Sequence, residues 1–116
     1  MQFKLLIALT EDAKVKPILK AAREAGATGA TVITSARGEG LRQEKTFLGL
    51  DLTRHRDIVI LVVEEHLSRR ILETIAEAGH FDGEPGSGIA FQVDIEDAIG
   101  LTSQIQVLTD RIEEEI

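Results

Sequence analysis

The stretch Arg56-Asp57-Ile58-Val59-Ile60-Leu61-Val62-Val63-Glu64, followed by Leu67-Ser68-Arg69-Arg70-Ile71-Leu72-Glu73-Thr74-Ile75-Ala76-Glu77-Ala78-Gly79, decides the fold of this chain. From Ile58 to Val63 every residue is aliphatic and most are β-branched, so Arg56 to Glu64 is predicted to be a strand. A continuous apolar run, rather than an alternating one, suits a strand buried on both faces and hence central in its sheet. The period then changes. Leu67, Ile71, Leu72 and Ile75 fall on one face at helical spacing, which predicts a helix from Leu67 to Ala78 with Gly79 as its cap.

The first half of the chain repeats this plan. Phe3 to Leu9 reads as a strand. Thr10 is the expected N-cap of a helix that carries Glu11 and Asp12 in its first turn, where the helix dipole favours acids. Val15, Ile18, Leu19 and Ala22 give that helix its apolar face, Gly26 its C-terminal cap, and Pro17 is tolerable only near its start. Ala30 to Ser35 reads as the second strand. Ile18-Leu19 and Glu24-Ala25-Gly26 recur as Ile71-Leu72 and Glu77-Ala78-Gly79 at one constant offset. Ile89 to Ile95 completes the second half as the fourth strand. Ile105, Leu108, Ile112 and Ile116 predict a C-terminal helix over 103–116. Two strand–helix–strand units in series give an α+β, ferredoxin-like double βαβ sheet in one domain, 1–116. Both helices cover the same face. The other face needs a partner, so an oligomer is expected.

Composition narrows the function classes. The chain has 116 residues, enough for one core without staples. Its only aromatic residues are four Phe, so the core is aliphatic. It has no Cys, which excludes disulfides, thiolate metal sites and a Cys nucleophile. Met1 to Leu6 runs straight into a strand without a secretory pattern, and no apolar run reaches the ~20 residues of a membrane span. A cytoplasmic protein without membrane insertion is expected. A net charge of −7 disfavours sequence-independent binding to nucleic acid. Arg37, Arg42, Lys45, Arg54 and Arg56 nevertheless concentrate positive charge in the middle of the chain.

Two segments are candidates for function. Arg37 to Arg54 joins strands two and three, where a hairpin needs only ~2–5 residues. It opens on Arg37-Gly38-Glu39-Gly40 and carries Phe47, Leu48, Leu50 and Leu52, apolar side chains suited to a partner contact or to folding back on the body. Gly83-Glu84-Pro85-Gly86-Ser87-Gly88 is a turn whose amides can approach an anion. It lacks the Gly-Lys-Ser/Thr of a phosphate loop and the strand–loop–helix setting of a dinucleotide fingerprint. Other constellations are weaker. His55, His66 and His80 show no metal-ligand spacing, so no metal site is expected. Ser35, Ser87 and Ser103 have no His–Asp companions. Asp94, Glu96 and Asp97 read as a polar edge, and Arg69-Arg70 as a solvated helix face. No catalytic residue is assigned, and an enzyme is not expected.

The order Thr28-Gly29-Ala30-Thr31-Val32, Arg37-Gly38-Glu39-Gly40, Thr46-Phe47-Leu48-Gly49 and Gly86-Ser87-Gly88-Ile89-Ala90-Phe91-Gln92-Val93-Asp94 resembles the P-II signal-transduction family over most of residues 3–100. The resemblance implies a homotrimer, with a partner-docking T-loop at 37–55 and a B-loop at 79–88. An adenine nucleotide would sit between subunits. Gly29, Ala30 and Thr31 would contact adenine, with Val63 across the cleft. Ala36, Arg37, Gly38 and Glu39 would line the T-loop base, and Gly86, Ser87 and Gly88 would surround phosphates.

The departures shape the expected ligand. Nitrogen-sensing members carry Lys after the B-loop glycines, where this chain has Ile89. They carry two Arg where this chain has Ile99-Gly100-Leu101. The modifiable T-loop Tyr is absent, since the chain has no Tyr. Too little positive charge remains for a triphosphate. The sequence is similar to the divergent P-II-like proteins linked to inorganic carbon. This implies ADP or AMP over ATP, with bicarbonate or another small anion held by Arg37 or Arg56, and a protein target such as a transporter. The second reading is a ferredoxin-like trimer of the CutA or structural type with no nucleotide role.

Overall fold

The structure is a computed structural model and describes residues 1–36, 46–47, 50–51 and 55–101. The expected helix over 103–116 and most of the 37–55 connection, Arg37, Gly38, Glu39 and Leu48 included, lie outside the described residues. Eight elements follow in chain order: β1 (Phe3–Thr10), α1 (Asp12–Glu24), β2 (Thr31–Ala36), β3 (Thr46–Phe47), β4 (Leu50–Asp51), β5 (Arg56–Glu64), α2 (Glu65–Ala78) and β6 (Gly88–Asp94). The main sheet has the order β2-β5-β1-β6, antiparallel throughout, and β3 pairs with β4 in a separate small hairpin. This is the ferredoxin-like topology expected from the repeat, and Arg56–Glu64 does hold a central position.

Register explains why β5 is apolar without a break. In successive rows, Leu6 faces Leu61 and Gln92, and Ala8 faces Val59 and Ala90. Leu6, Ala8, Val59 and Leu61 are buried, where they meet Val15, Ile18 and Ala22 of α1 and Leu67, Ile71 and Ile75 of α2. Ile18 and Ile71 are wholly buried, each contributing roughly 1.5–3 kcal/mol. The intervening rows lie on the opposite face. They are Leu5–Val62–Val93, then Thr31–Ile60–Ile7–Phe91, then Ile33–Ile58–Leu9–Ile89. Among the described residues no helix covers them; Ile33 is 46% exposed and Val93 45%. The described residues of one chain therefore bury only one of the two faces that the β5 composition calls for.

The helix ends differ from the sequence reading. Thr10 is not the N-cap of α1; it closes β1 with 0% exposure, and Glu11 takes the cap position without a side-chain bond. Pro17 stands inside α1 on its exposed side, one turn deeper than its ideal place. At the end of α1, Ala27 N–H bonds Ala22 C=O and Gly26 N–H bonds Arg23 C=O, with Gly26 at φ 116. At the end of α2, Phe81 N–H bonds Ala76 C=O and His80 N–H bonds Glu77 C=O, so His80, at φ 56, takes the left-handed position. Gly79 is the C-cap but remains right-handed at φ −86. The repeat thus slips by one residue, because α2 runs one residue longer than α1.

Glu64 opens α2 instead of Leu67. Its carboxylate accepts His66 N–H at 2.7 Å and His66 Nδ1 at 2.6 Å. His66, though exposed, is thus paired, and the Glu64 carboxylate raises its pKa above the ordinary value, chiefly through the hydrogen bond. A raised value in the folded state contributes stability that is complete below the unfolded pKa of about 6.5 and is lost as pH rises through the folded value. The stability gap between wild type and His66→Gln is therefore expected to narrow as pH is raised above that range, measured by urea denaturation. A gap that widens with pH would contradict the pairing.

Candidate functional site

Two of the sequence-predicted clusters form within one chain, and they form apart. The first lies where β2 ends and β5 begins. Ala36 pairs with Arg56 across the ladder, and Arg56 Nη2 donates to Gly86 C=O at 3.1 Å. The root of the 37–55 connection, the candidate anion-binding arginine and the Gly-rich turn thus meet. Arg56 is only 7% exposed, and its Nε has no partner among the described residues. The guanidinium retains donor capacity for an oxyanion.

The turn itself is built from α2. Phe81 folds back under it, and its ring fills the space where a side chain at Gly79 or Gly88 would stand. A Cβ at Gly88 would also lie 2.7 Å from Leu9 C=O. Gly86 takes φ 78, a conformation that L side chains rarely adopt. Ser87 is turned inward, 3% exposed, with its hydroxyl on His80 C=O at 3.2 Å and its N–H on Glu84 C=O at 3.1 Å. Ser87 therefore fixes the turn, and both groups expected near phosphate are occupied. Lys14 of α1 clamps the same turn, donating to Gly79 C=O at 2.7 Å and Glu84 at 2.9 Å. That hydrogen bond lowers the Glu84 pKa. Beside the turn, Gly88, Ile89 and Ala90 line a cavity of about 600 Å³ with Leu72, Ala76 and Asp82.

The second cluster lies at the start of β2. Gly29 and Ala30 are exposed and line a cavity of about 250 Å³ with Leu19, Arg23, Ala27, Thr28 and Leu61. Thr31, also exposed, follows on the edge strand facing the uncovered side. Val63 does not join either cluster. Its side chain is 2% exposed within the core, so only its main chain is left for a ligand. The hydrophobicity that makes β5 legible gives no sign of which valine faces inward.

The order β2-β5-β1-β6 places Thr31 and Gly88 on opposite edge strands. Three strand spacings, roughly 14 Å, separate the two edge strands. A slot lined by both strands is completed only by a second copy of the chain.

Sequence reasoning missed the roles of Asp12, Asp57 and the Glu64–Glu65–His66 group. Asp57 Oδ1 accepts Ser35 N–H at 3.1 Å, holding Ser35 at φ 57 just before the 37–55 connection. The Asp12 carboxyl hydrogen-bonds Asp57, which raises the Asp12 pKa. Glu64, Glu65 and His66 place one ligand-type atom each within 4.8 Å of one another. Spacing between histidines alone could not find that group. Its Glu64 oxygens already hold His66, so it acts first as a helix cap. Among the described residues, no helix is long and apolar enough to cross a membrane.

A four-stranded antiparallel sheet backed by two helices, with a buried arginine bound to a glycine turn, is a ferredoxin-like fold. The family model for nitrogen regulatory protein P-II matches residues 3–104, and the chain belongs to that family. Among solved structures, it is similar to a PII-like signalling protein from Thermus thermophilus, at 22% identity and a TM-score of 0.60 over 82% of this chain and 87% of that one. It is also similar to CPII, a nitrogen regulatory PII-like protein from Thiomonas intermedia bound to ADP, AMP and bicarbonate. There the identity is 22% and the TM-score 0.63, over 86% of this chain and 97% of that one. No curated protein matches.

Proposed function

We propose that this protein is a homotrimeric regulator that binds ADP or AMP in preference to ATP, together with bicarbonate or a similar small anion. It acts in the cytoplasm on a protein target, such as a transporter, through residues 37–55, and makes or breaks no covalent bond. One observation carries the reading: Arg56 joins the root of that connection to the Gly86 turn while keeping a buried, unpartnered Nε. An anion recruited there acts on both loops at once. Ligand occupancy selects a loop arrangement only if the two arrangements bind it with different free energy.

The preference for fewer phosphates follows from charge. Ile89 occupies the place of a phosphate-binding lysine, and the chain carries −7 overall. The ADP- and AMP-bound CPII supports this choice of ligand. Calorimetric titration with ATP, ADP and AMP, with and without bicarbonate, is expected to give tighter binding of AMP or ADP than of ATP, and tighter binding still with bicarbonate. ATP binding tightest by far would overturn the preference, and no binding of any of the three would leave the ferredoxin-like trimer without nucleotide sensing.

A further inference from the structure

Thr10 and Asp57 are direct partners in the β1–β5 ladder. Paired residues of an antiparallel ladder share a face, with Cβ atoms about 4.5–5.5 Å apart. Thr10 is 0% exposed and Asp57 5%, yet among the described residues Thr10 Oγ1 has no hydrogen-bond partner, and Asp57 Oδ2 has none unless the Asp12 carboxyl is protonated toward it. The exposed Asp12, at the first position of α1, brings a second carboxyl group against Asp57. Two carboxylates in contact repel unless a proton or a cation lies between them.

Among the described residues, neither Arg56 nor Lys16 supplies the charge. Arg56 is turned to Gly86 C=O, and the attraction of Lys16 is the weakest of the influences on Asp12. A shared proton would serve the carboxyl pair but leave the buried Thr10 hydroxyl orphaned. A hard divalent cation would satisfy all three oxygens and complete its shell with water on the open Asp12 side.

We infer that Asp12, Asp57 and Thr10 bind one divalent cation of the magnesium or manganese class at the junction of β1, α1 and β5. The site needs no nucleotide, so it stands or falls apart from the proposed function. Its consequence is mechanical. The other Asp57 oxygen holds Ser35 N–H, so the cation fixes the carboxylate that anchors the root of the 37–55 connection.

The probe is Mn²⁺ added to nucleotide-free, ¹⁵N-labelled protein. Paramagnetic broadening is expected first at the amides of Thr10, Asp12, Ser35 and Asp57. Calorimetry should give one saturable Mn²⁺ per chain. Asp12→Asn, at an exposed position that leaves the fold intact, should weaken it roughly ten-fold or more. His66→Ala, in the separate Glu64–Glu65–His66 group, should leave it unchanged. Broadening centred on Glu64 to His66, unaltered affinity in Asp12→Asn, or no saturable binding at millimolar Mn²⁺ would each overturn the inference.

Discussion

Gly88→Val is expected to destabilise the protein by about 3 kcal/mol, lowering its melting temperature by on the order of 10 °C. The cause is the close approach of two unlike neighbours. Any Cβ at Gly88 meets the Phe81 ring, and it also lies 2.7 Å from Leu9 C=O on the adjoining strand. The ring can rotate away only by leaving its buried place beneath the turn, where it is 8% exposed. The carbonyl cannot leave without opening the β1–β6 ladder, in which Leu9 pairs with Ile89 and Thr10 with Gly88. Gly83→Ala is the control in the same turn. No atom lies within 4 Å of a Cβ there, so that change should be nearly neutral. Both variants should be compared by thermal and urea denaturation at one fixed chain concentration, because the stability of any assembled form depends on it. A loss below about 0.5 kcal/mol for Gly88→Val would mean that Phe81 does not hold the turn from below.

This turn also marks the limit of what the sequence discloses. Gly86, Ser87 and Gly88 are visible as a flexible segment, but their different jobs depend on residues distant in the chain. Gly88 is required by Phe81 and Leu9, Ser87 is consumed by His80 C=O, and Gly86 alone is set by backbone conformation. The strands are legible because burial on a sheet demands apolar residues whatever their partners. The α2 start is not, because Glu64 is a poor N-cap by type and becomes one only through His66. Its end slips because the left-handed position falls on His80 rather than the preceding glycine. Arg56 stands out in the sequence for its charge, but its burial and its bond to Gly86 arise from the ladder that pairs it with Ala36. Asp12, Asp57 and Thr10 each look like ordinary end-of-element polar residues. Only the antiparallel register makes neighbours of them.

Ile60→Lys is expected to reduce the assembled protein to single chains and to abolish nucleotide binding with it. Ile60 lies on a central strand in the row Thr31–Ile60–Ile7–Phe91, on the face that no helix among the described residues covers. A lysine there can reach water in a lone chain, so the helix-backed core and the circular dichroism spectrum should persist. Packed against a second sheet, the same ammonium would have to be desolvated among aliphatic side chains without a partner, which costs several kcal/mol per chain. Binding should fail for a geometric reason. Thr31 and Gly88 stand on opposite edges of the sheet, so a slot using both exists only between chains. Light scattering and calorimetry on one sample separate the two claims. A wild-type protein that is monomeric would show that this face does not join copies of the chain. A monomeric variant that still binds AMP or ADP at wild-type affinity would place the whole site inside one subunit. In that case the cavities beside Gly88 and Gly29 would have to act separately, and ligand occupancy could not be coupled to assembly through the sheet edges.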